Sequence, residues 1–338
     1  MIYLVLLSIL IYTFNRRKYL LQAVDSVLSN DLDPLKYEVV VVKGFVDKEI
    51  DGYLSKNNIK SLLVDDKSLG LKIAKGVSEC EGDFICFLDD DDEFELNKLA
   101  VIKNILEQND RVDFIHNSLI IMNEEENIIN LNPKENVSEN ITYTPGVDQY
   151  STLSKVMRHR GDWYLSAMCI RRSILENTVN TLENINQSVD KFIFHVALNF
   201  GREMIMIAER VTKYRFHQST TTYRGTIEEF INRRETFFEN SVKVFYKIVE
   251  ISKGRPGWNV AKCQLLQHRI NLYFISNNQD HKITNSELLE YVRCLKYNYT
   301  RYQIIWIFSY LIRKMSFRIS KTLYYKFFEL SFKKVQNA

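Results

Sequence analysis

The sequence contains few of the residues that interrupt or cross-link a chain. Its 338 residues include only 4 prolines, 11 glycines and 5 cysteines. The cysteines are widely spaced and form no Cys-x-x-Cys pair, so no zinc or dithiol motif is recognisable. We expect them to be reduced, as in a cytoplasmic protein. With 46% hydrophobic and 26% charged residues, the composition is that of an ordered globular protein and argues against long disordered segments.

No apolar run is long enough to cross a bilayer as a helix. Residues 1–12 are nearly all apolar, but no basic segment precedes them and no small-residue cleavage site follows them, which argues against a signal peptide. We predict that residues 4–12 form a buried strand. A membrane-contacting segment is the alternative.

Acidic and basic residues are unevenly distributed along the chain. Residues 301–338 contain 8 basic residues and 1 acidic residue, whereas residues 1–300 contain 37 basic and 41 acidic residues. The slightly acidic main part argues against a nucleic-acid partner. The basic end favours an anionic partner.

Apolar runs and helical periodicity alternate through the first ninety residues. Strands are predicted at residues 4–12, 37–42, 59–64 and 83–88, and helices at residues 17–29, 50–56 and 71–80. This order predicts an α/β fold with a Rossmann-like, mostly parallel sheet. In such sheets ligands bind at the carboxyl ends of the strands.

Five consecutive acids, Asp89 to Glu93, follow the fourth predicted strand. Adjacent carboxylates repel one another and raise each other's pKa unless a cation is present. A divalent metal, Mg²⁺ or Mn²⁺, suits this arrangement, because such ions bind one or two carboxylates together with water and substrate phosphate oxygens. A solvated acidic turn is the alternative.

Three segments, in order along the chain, resemble those of the family 2 glycosyltransferases. They are residues 9–16 with 19–20 and 26–28, residues 68–71 with Gly76 and 82–85, and the Asp-x-Asp strand at residues 87–92. The resemblance is good over residues 8–99 and thinner to residue 222. It implies a GT-A fold, that of nucleotide-diphospho-sugar transferases, at residues 1–224. Residues 225–338 would then form a helical, basic C-terminal extension.

The resemblance also implies roles in the first half of the domain. The loop Thr13, Phe14, Asn15 and Arg16 would line the nucleotide pocket. Asp89 would face the ribose or the metal, and Asp91 would bind the metal directly. The four aspartates leave the register open, with Asp90 and Asp92 as the alternative pair. From the residues alone, Asn15 could simply cap the following helix, and Gly70 could simply permit a turn.

Two positions depart from the family's pattern. Lys43 follows the second strand where the family usually has an acid that contacts the base; a phosphate contact is the alternative for it. The family's usual Arg-Asn pair is absent near Gly70, and Lys72 or Lys75 could supply the positive charge.

In the second half the resemblance places a catalytic carboxylate at Asp190, which would deprotonate the acceptor hydroxyl in an inverting displacement. An ordinary helix start is the alternative, since acids are favoured there. Arg215 and His217 are candidates to neutralise the diphosphate, with a surface strand as the alternative. Asp162 is the second candidate base. Trp163 could stack on a sugar ring, or it could be a core aromatic residue.

Beyond residue 224 the pattern is helical. Residues 226–229 and 284–287 read as capping boxes. Residues 304–315 combine an apolar face with basic neighbours, which favours a helix lying in an anionic membrane interface; packing on the domain is the alternative. We therefore expect a cytoplasmic enzyme, peripheral on the inner face of the cell membrane, with a nucleotide-diphosphate sugar donor and a lipid-linked or glycan acceptor. The rival hypothesis is a non-catalytic nucleotide-sugar or metal-binding module tethered at a membrane.

Overall fold

The computed structural model describes residues 5–13, 16–217, 226–297 and 303–336. The chain divides into two compact units, residues 1–216 and residues 217–338. The domain boundary expected after residue 224 lies outside the described residues.

The first unit is built on one mixed sheet. Its strands are β1 (Leu7–Tyr12), β2 (Tyr37–Lys43), β3 (Lys60–Leu63), β4 (Phe84–Asp89), β5 (Glu93–Phe94), β6 (Val112–Met122), β7 (Ile128–Asn130), β8 (Ile141–Tyr143), β9 (Met168–Arg171) and β10 (Glu203–Arg215). The main order across the sheet is β3-β2-β1-β4-β9-β6-β10-β5; β7 pairs with β6, and β8 with β10.

Strands β1 to β4 form the parallel half of the sheet. β1 lies between β2 and β4, and its last residue, Tyr12, is level with Val42 on one side and Asp89 on the other. Every residue of β1 is buried, as expected of a parallel strand covered on both faces. The predicted α/β class and all four predicted strands are confirmed.

The remaining strands make the sheet mixed. β9 runs antiparallel between β4 and β6, whereas β10 runs parallel to β6. The register of β10 against β6 shifts between Ile207 and Thr212. This half contributes to the site, because β10 ends at Arg215, which hydrogen-bonds Asp91 and Asp92 after the end of β4.

Eight helices of the first unit are described. They are α1 (Leu20–Leu28), α2 (Lys48–Lys56), α3 (Leu69–Glu79), α4 (Lys98–Gln108), α5 (Tyr150–Arg158), α6 (Arg172–Glu176), α7 (Val179–Leu182) and α8 (Val189–Phe200). Helix α1 buries Leu20, Ala23, Val24 and Val27 against the sheet, which is close to the face that the periodicity predicts.

Gly70 permits a close approach of two backbones. It lies in the first turn of α3, and its N–H donates to the carbonyl of Ile185 at 2.9 Å. A Cβ at this position would lie 2.2 Å from the carbonyl oxygen of Leu182 and 2.3 Å from that of Ile185. The absence of a side chain at Gly70 therefore lets α3 pack closely against the segment that leads into α8. The sequence had suggested that Gly70 could simply permit a turn.

The second unit is helical. Its described helices are α9 (Ile227–Ser252), α10 (Trp258–Ile275), α11 (Asn285–Arg293), α12 (Gln303–Met315) and α13 (Phe317–Gln336). Both capping boxes are present, with Thr226 and Thr284 as the N-cap residues. Phe230 and Phe238 of α9 pack with Phe274 of α10 and Tyr324 of α13 in its core.

One expectation, that of reduced cysteines, needs correction. Cys263 and Cys294 form a disulfide, so the cysteines are not all reduced; Cys80, Cys86 and Cys169 are free and buried. Spacing could not reveal this pair, because α10 and α11 bring together residues that are 31 positions apart. Within residues 304–315, Ile312 packs on the unit's core whereas Phe308 and Leu311 are exposed, and the membrane role stays a prediction.

None of the helices in the described part of the chain combines the length and apolar character needed to cross a bilayer.

Candidate active site

The candidate site lies at the carboxyl ends of β1 and β4, where two adjacent parallel strands stop at the same edge of the sheet. Tyr12 ends β1 level with Asp89, which ends β4. The loop of residues 89–92, here called the acidic loop, follows directly. It is where the strand order predicts ligand binding.

Hydrogen bonds hold the backbone and side chains of the acidic loop. The hydroxyl of Tyr12 donates to the carboxylate of Asp89. The N–H of Asp89 donates to Oγ of Ser166 at 2.9 Å. The N–H of Asp92 donates to the carbonyl of Asp89 at 3.2 Å, which closes a tight turn.

Asp90 points toward the loop that follows β1. Its carboxylate accepts from the hydroxyl of Thr13 and pairs with Arg16 at 2.7 Å. Arg16 also pairs with Asp91, while half of its own side chain stays exposed. Thr13 and Arg16 are thus brought to the acidic loop; Phe14 and Asn15 lie outside the described residues.

Asp89, Asp91 and Asp92 form what we call the carboxylate triad, with one oxygen from each lying within 4.8 Å of the others. Burial and the neighbouring aspartates raise the pKa of Asp89 well above its usual range. Burial, followed by repulsion from Asp91, raises the pKa of Asp92 to about 8. Burial also raises the pKa of Asp90 to about 6, although Arg16 opposes this rise. The loop therefore concentrates negative charge that solvent does not fully stabilise.

The residues fit a hard divalent cation. Such ions bind carboxylate oxygens and complete their shell with water or phosphate oxygens, and the triad offers oxygen donors alone. Repulsion among these carboxylates is what a bound cation would relieve.

Arg215 holds the acidic loop from the end of β10. Its N–H donates to Asp92 at 2.8 Å, its Nε donates to the carbonyl of Asp91 at 2.7 Å, and its guanidinium pairs with Glu93 at 2.7 Å. The guanidinium also lies 4.3 Å from the ring centre of Tyr19. Because the side chain has no exposure, this geometry argues against the expected contact with a diphosphate and gives Arg215 a positioning role instead.

Asp190 lies in the first turn of α8, directly after Ser188, whose φ of 53° is in the left-handed region. Its carboxylate accepts from the N–H of Lys191 at 2.9 Å, and part of the side chain reaches solvent. Desolvation raises its pKa, while Lys191 opposes the rise. Asp190 also contributes to the raised pKa of Asp89, so the two carboxylates are close enough to interact. Backbone strain of this kind concentrates at functional sites.

Asp162, the second candidate base, is engaged in an ion pair. It is buried and lies 3.0 Å from Nζ of Lys191. Trp163 is 42% exposed, with Lys191 4.3 Å and Arg160 4.8 Å from its ring centre. The next residue, Tyr164, has a φ of 63°. Trp163 therefore presents an aromatic surface beside Asp162 and Lys191, where a core residue would be buried.

The two predicted nucleotide-binding lysines contact protein groups. Nζ of Lys43 donates to the carbonyl of Phe45 at 2.9 Å and pairs with Asp51 at 2.7 Å. Nζ of Lys72 donates to the carbonyls of Val64 and Asp66 at 2.8 and 2.5 Å. Both side chains are buried, which argues against the roles expected for them. His217 follows β10 by two residues, and its predicted role stays a prediction.

Sequence reasoning missed three residues that hold the site. Tyr12 and Ser166 bond the acidic loop directly, and Lys98 donates to the carbonyl of Ser166 at 2.6 Å from a fully buried position. Tyr12 could have been found, because the register of two parallel strands puts it opposite Asp89. Ser166 and Lys98 gave no signal in the sequence, since their contacts depend on the position of β9.

Several solved structures share this fold. S. aureus TarS 1-349 matches 95% of this chain and 91% of its own, with a TM-score of 0.59 and 14% identity. TarS 1-349 in complex with UDP-GlcNAc matches 93% of this chain and 91% of its own, with a TM-score of 0.58 and 14% identity. A longer S. aureus TarS structure matches 86% of this chain but 48% of its own, with a TM-score of 0.55 and 15% identity, so the chain spans about half of that protein.

At these identities the likeness establishes the GT-A fold, which confirms the expected fold class. Residues 8–152 match the family model described as glycosyl transferase family 2. This match covers less than half of the chain, and it agrees with the resemblance seen in the sequence. No curated protein sequence matches the chain significantly.

Proposed function

We propose that the protein transfers a sugar from a nucleoside-diphosphate donor to an acceptor hydroxyl with inversion at the anomeric carbon. The observation that carries the proposal is the carboxylate triad at the end of β4, with Asp190 near enough to interact with it. The two groups supply the separate requirements of this reaction: a site for a diphosphate with its cation, and a base for the acceptor.

The donor would bind over the loop after β1. Thr13 and Arg16 contact the acidic loop, and the half-exposed guanidinium of Arg16 is available to an anionic ligand. Phe14 and Asn15 complete this loop in the sequence. Because TarS 1-349 shares the fold and was solved with UDP-GlcNAc, UDP-GlcNAc is the first donor to test.

A divalent cation would be held by Asp89 and Asp91, with Asp92 as a third ligand. Once bound, it would neutralise charge that develops on the departing diphosphate. Asp90 would stay with Thr13, and it lies outside the carboxylate triad, which favours the Asp89 and Asp91 register over Asp90 and Asp92. Mg²⁺ and Mn²⁺ are the ions to test.

Asp190 would act as the general base. The acceptor oxygen attacks the anomeric carbon as Asp190 takes its proton, and the bond from that carbon to the diphosphate breaks on the opposite side. Desolvation raises the pKa of Asp190 above its ordinary value, and a carboxylate with a raised pKa is a better proton acceptor than a solvated one. Asp162 is less suited, since its buried carboxylate is already engaged by Nζ of Lys191 at 3.0 Å. The exposed ring of Trp163 would stack on the sugar of the acceptor or donor.

Release of nucleoside diphosphate from UDP-GlcNAc, with water as acceptor, tests the donor and metal parts together. We expect release to need Mn²⁺ or Mg²⁺ and to be lost in Asp91→Asn. The matched control is Asp65→Asn, which removes an exposed aspartate outside the acidic loop and should retain activity. Equal release with and without a chelator, or full activity in Asp91→Asn, would refute metal assistance.

We also propose that the second unit binds an anionic membrane surface, where a lipid-linked or membrane-presented acceptor would be met. Five apolar side chains of α12 and α13 are exposed with a spacing of three or four residues: Phe308, Leu311, Met315, Ile319 and Leu323. Lys314 and Arg318, beside them, are exposed as well. Apolar side chains flanked by basic ones favour an anionic interface. This would place the enzyme on the inner face of a cell membrane.

A further inference from the structure

A second group of metal-ligating side chains lies in the helical unit. Glu235 and Glu239 are four residues apart on α9, so they project from the same face of the helix. His281 approaches them from the short helical turn Gln279–His281, which follows α10. One ligand atom from each of the three lies within 4.8 Å of the others, and Nε2 of His281 is 3.5 Å from Glu239.

The imidazole of His281 is oriented from its other nitrogen. Nδ1 lies 2.8 Å from Oγ of Ser276, a fully buried residue at the end of α10. With Nδ1 directed at this hydroxyl, Nε2 faces the carboxylates. Histidines that bind metals usually have such a partner on the second nitrogen, because it fixes the ring and the tautomer.

The charges of this group also favour a cation. Glu235 and Glu239 repel each other across one helical turn. Among the contacts of the described residues, neither carboxylate has a lysine or arginine partner, and Glu239 has only His281. All three side chains are partly exposed, so an ion could reach them from solvent.

We propose that Glu235, Glu239 and His281 bind a divalent transition-metal ion, with Zn²⁺ the best match and water completing its coordination. The site links α9 to the segment after α10. Its nitrogen ligand distinguishes it from the oxygen-only triad, because imidazole suits Zn²⁺, whereas carboxylates alone suit Mg²⁺ or Mn²⁺. Two sites of different selectivity are therefore expected in one chain.

Calorimetric titration of the full, oxidised chain with Zn²⁺ in the presence of excess Mg²⁺ tests the proposal. We expect one Zn²⁺ site whose affinity falls at least about tenfold in His281→Ala and in Glu239→Gln. The matched control is His159→Ala, which removes another partly buried histidine whose Nδ1 lies 3.2 Å from the carbonyl of Glu135. Unchanged binding in His281→Ala, or equal losses in His281→Ala and His159→Ala, would overturn the proposal.

Two further readouts separate this site from other metal binding. Zn²⁺ should raise the melting temperature of the wild type and of Asp91→Asn, but not that of His281→Ala. Co²⁺ should give visible absorption bands without the strong charge-transfer band of thiolate ligands, since Cys263 and Cys294 are bonded to each other and the other cysteines are buried. A thiolate band, or a Zn²⁺ effect that disappears in Asp91→Asn and persists in His281→Ala, would assign the metal elsewhere. UDP-GlcNAc binding should be unchanged in His281→Ala, so the two proposals can fail independently.

Discussion

Replacement of Asp190 by asparagine separates catalysis from folding and donor binding. Asparagine has the same shape, and its amide oxygen can accept the hydrogen bond that Lys191 N–H now donates to Asp190 at 2.9 Å. The change also removes the repulsion between Asp190 and Asp89. We therefore expect Asp190→Asn to fold normally and to bind metal and donor at least as well as the wild type.

The rate should fall because the amide cannot take a proton. General bases contribute about 100- to 10,000-fold to a rate, and we expect a loss of kcat in this range for donor hydrolysis. Desolvation raises the pKa of Asp190 above its ordinary value, so the wild-type rate should fall as the pH drops through that raised pKa and the carboxylate becomes protonated. Asp190→Asn should lack this acidic limb.

The assay is the release of nucleoside diphosphate at saturating Mn²⁺ from pH 5 to 8, with donor binding followed by thermal shift. Asp162→Asn is the matched control. It leaves the ammonium of Lys191 without its buried partner, so we expect a loss of about 3–5 kcal/mol in stability and a smaller loss of kcat for each folded molecule. A kcat for Asp190→Asn within about threefold of wild type, or a larger loss of kcat in a folded Asp162→Asn, would refute the assignment of the base.

Three further predictions test the packing, the acidic loop and the membrane surface. Gly70→Ala should destabilise the protein by about 1–3 kcal/mol in chemical denaturation, because the added Cβ would meet two carbonyl oxygens. Gly52→Ala in α2, where the space around a Cβ is open, should be neutral or stabilising. Equal effects of the two variants on stability would contradict the close approach at Gly70. Asp92→Asn should stabilise the metal-free protein by roughly 0.5–2 kcal/mol, because it removes a crowded carboxylate and keeps an acceptor for the N–H of Arg215. The same variant should show a smaller rise in melting temperature with Mn²⁺ than the wild type. An unchanged rise would show that Asp92 is not a metal ligand. The double variant Phe308→Glu, Leu311→Glu should no longer float with anionic vesicles, whereas the wild type should. Leu35→Glu, at a site that is 88% exposed in the first unit, should float like the wild type. Flotation of all three proteins would show that the exposed face of α12 does not bind the membrane.

The parallel half of the fold could be predicted because its signals are local. Buried runs such as Phe84–Asp89 are continuous in the sequence, and the acids that follow are placed at the sheet edge by the general rule for parallel strands. Helix α1 buries nearly the face that periodicity predicts. Thus β4 and the position of the acidic loop could be predicted from the sequence alone.

The other half of the site depends on contacts between residues distant in sequence. Arg215 reads as an exposed strand residue that could contact phosphate, yet its side chain is buried under a loop 122 or more residues earlier. Lys43 and Lys72 likewise read as anion-binding residues, but nearby carbonyl oxygens and Asp51 occupy their ammonium groups. A positive charge in the sequence does not reveal whether protein or ligand will neutralise it.

The geometry of the acidic loop distinguishes a ligand site from a solvated turn. A solvated turn would turn its carboxylates outward and would need no support from distant residues. Here Asp90, Asp91 and Asp92 are buried, and Arg215, Ser166 and Tyr12 hold the loop from three other parts of the first unit. Three carboxylates nevertheless lie within 4.8 Å of one another, and burial together with repulsion raises the pKa of Asp89 and of Asp92. A solvated turn gains nothing from this arrangement, whereas the cation that we propose for this loop would relieve the repulsion.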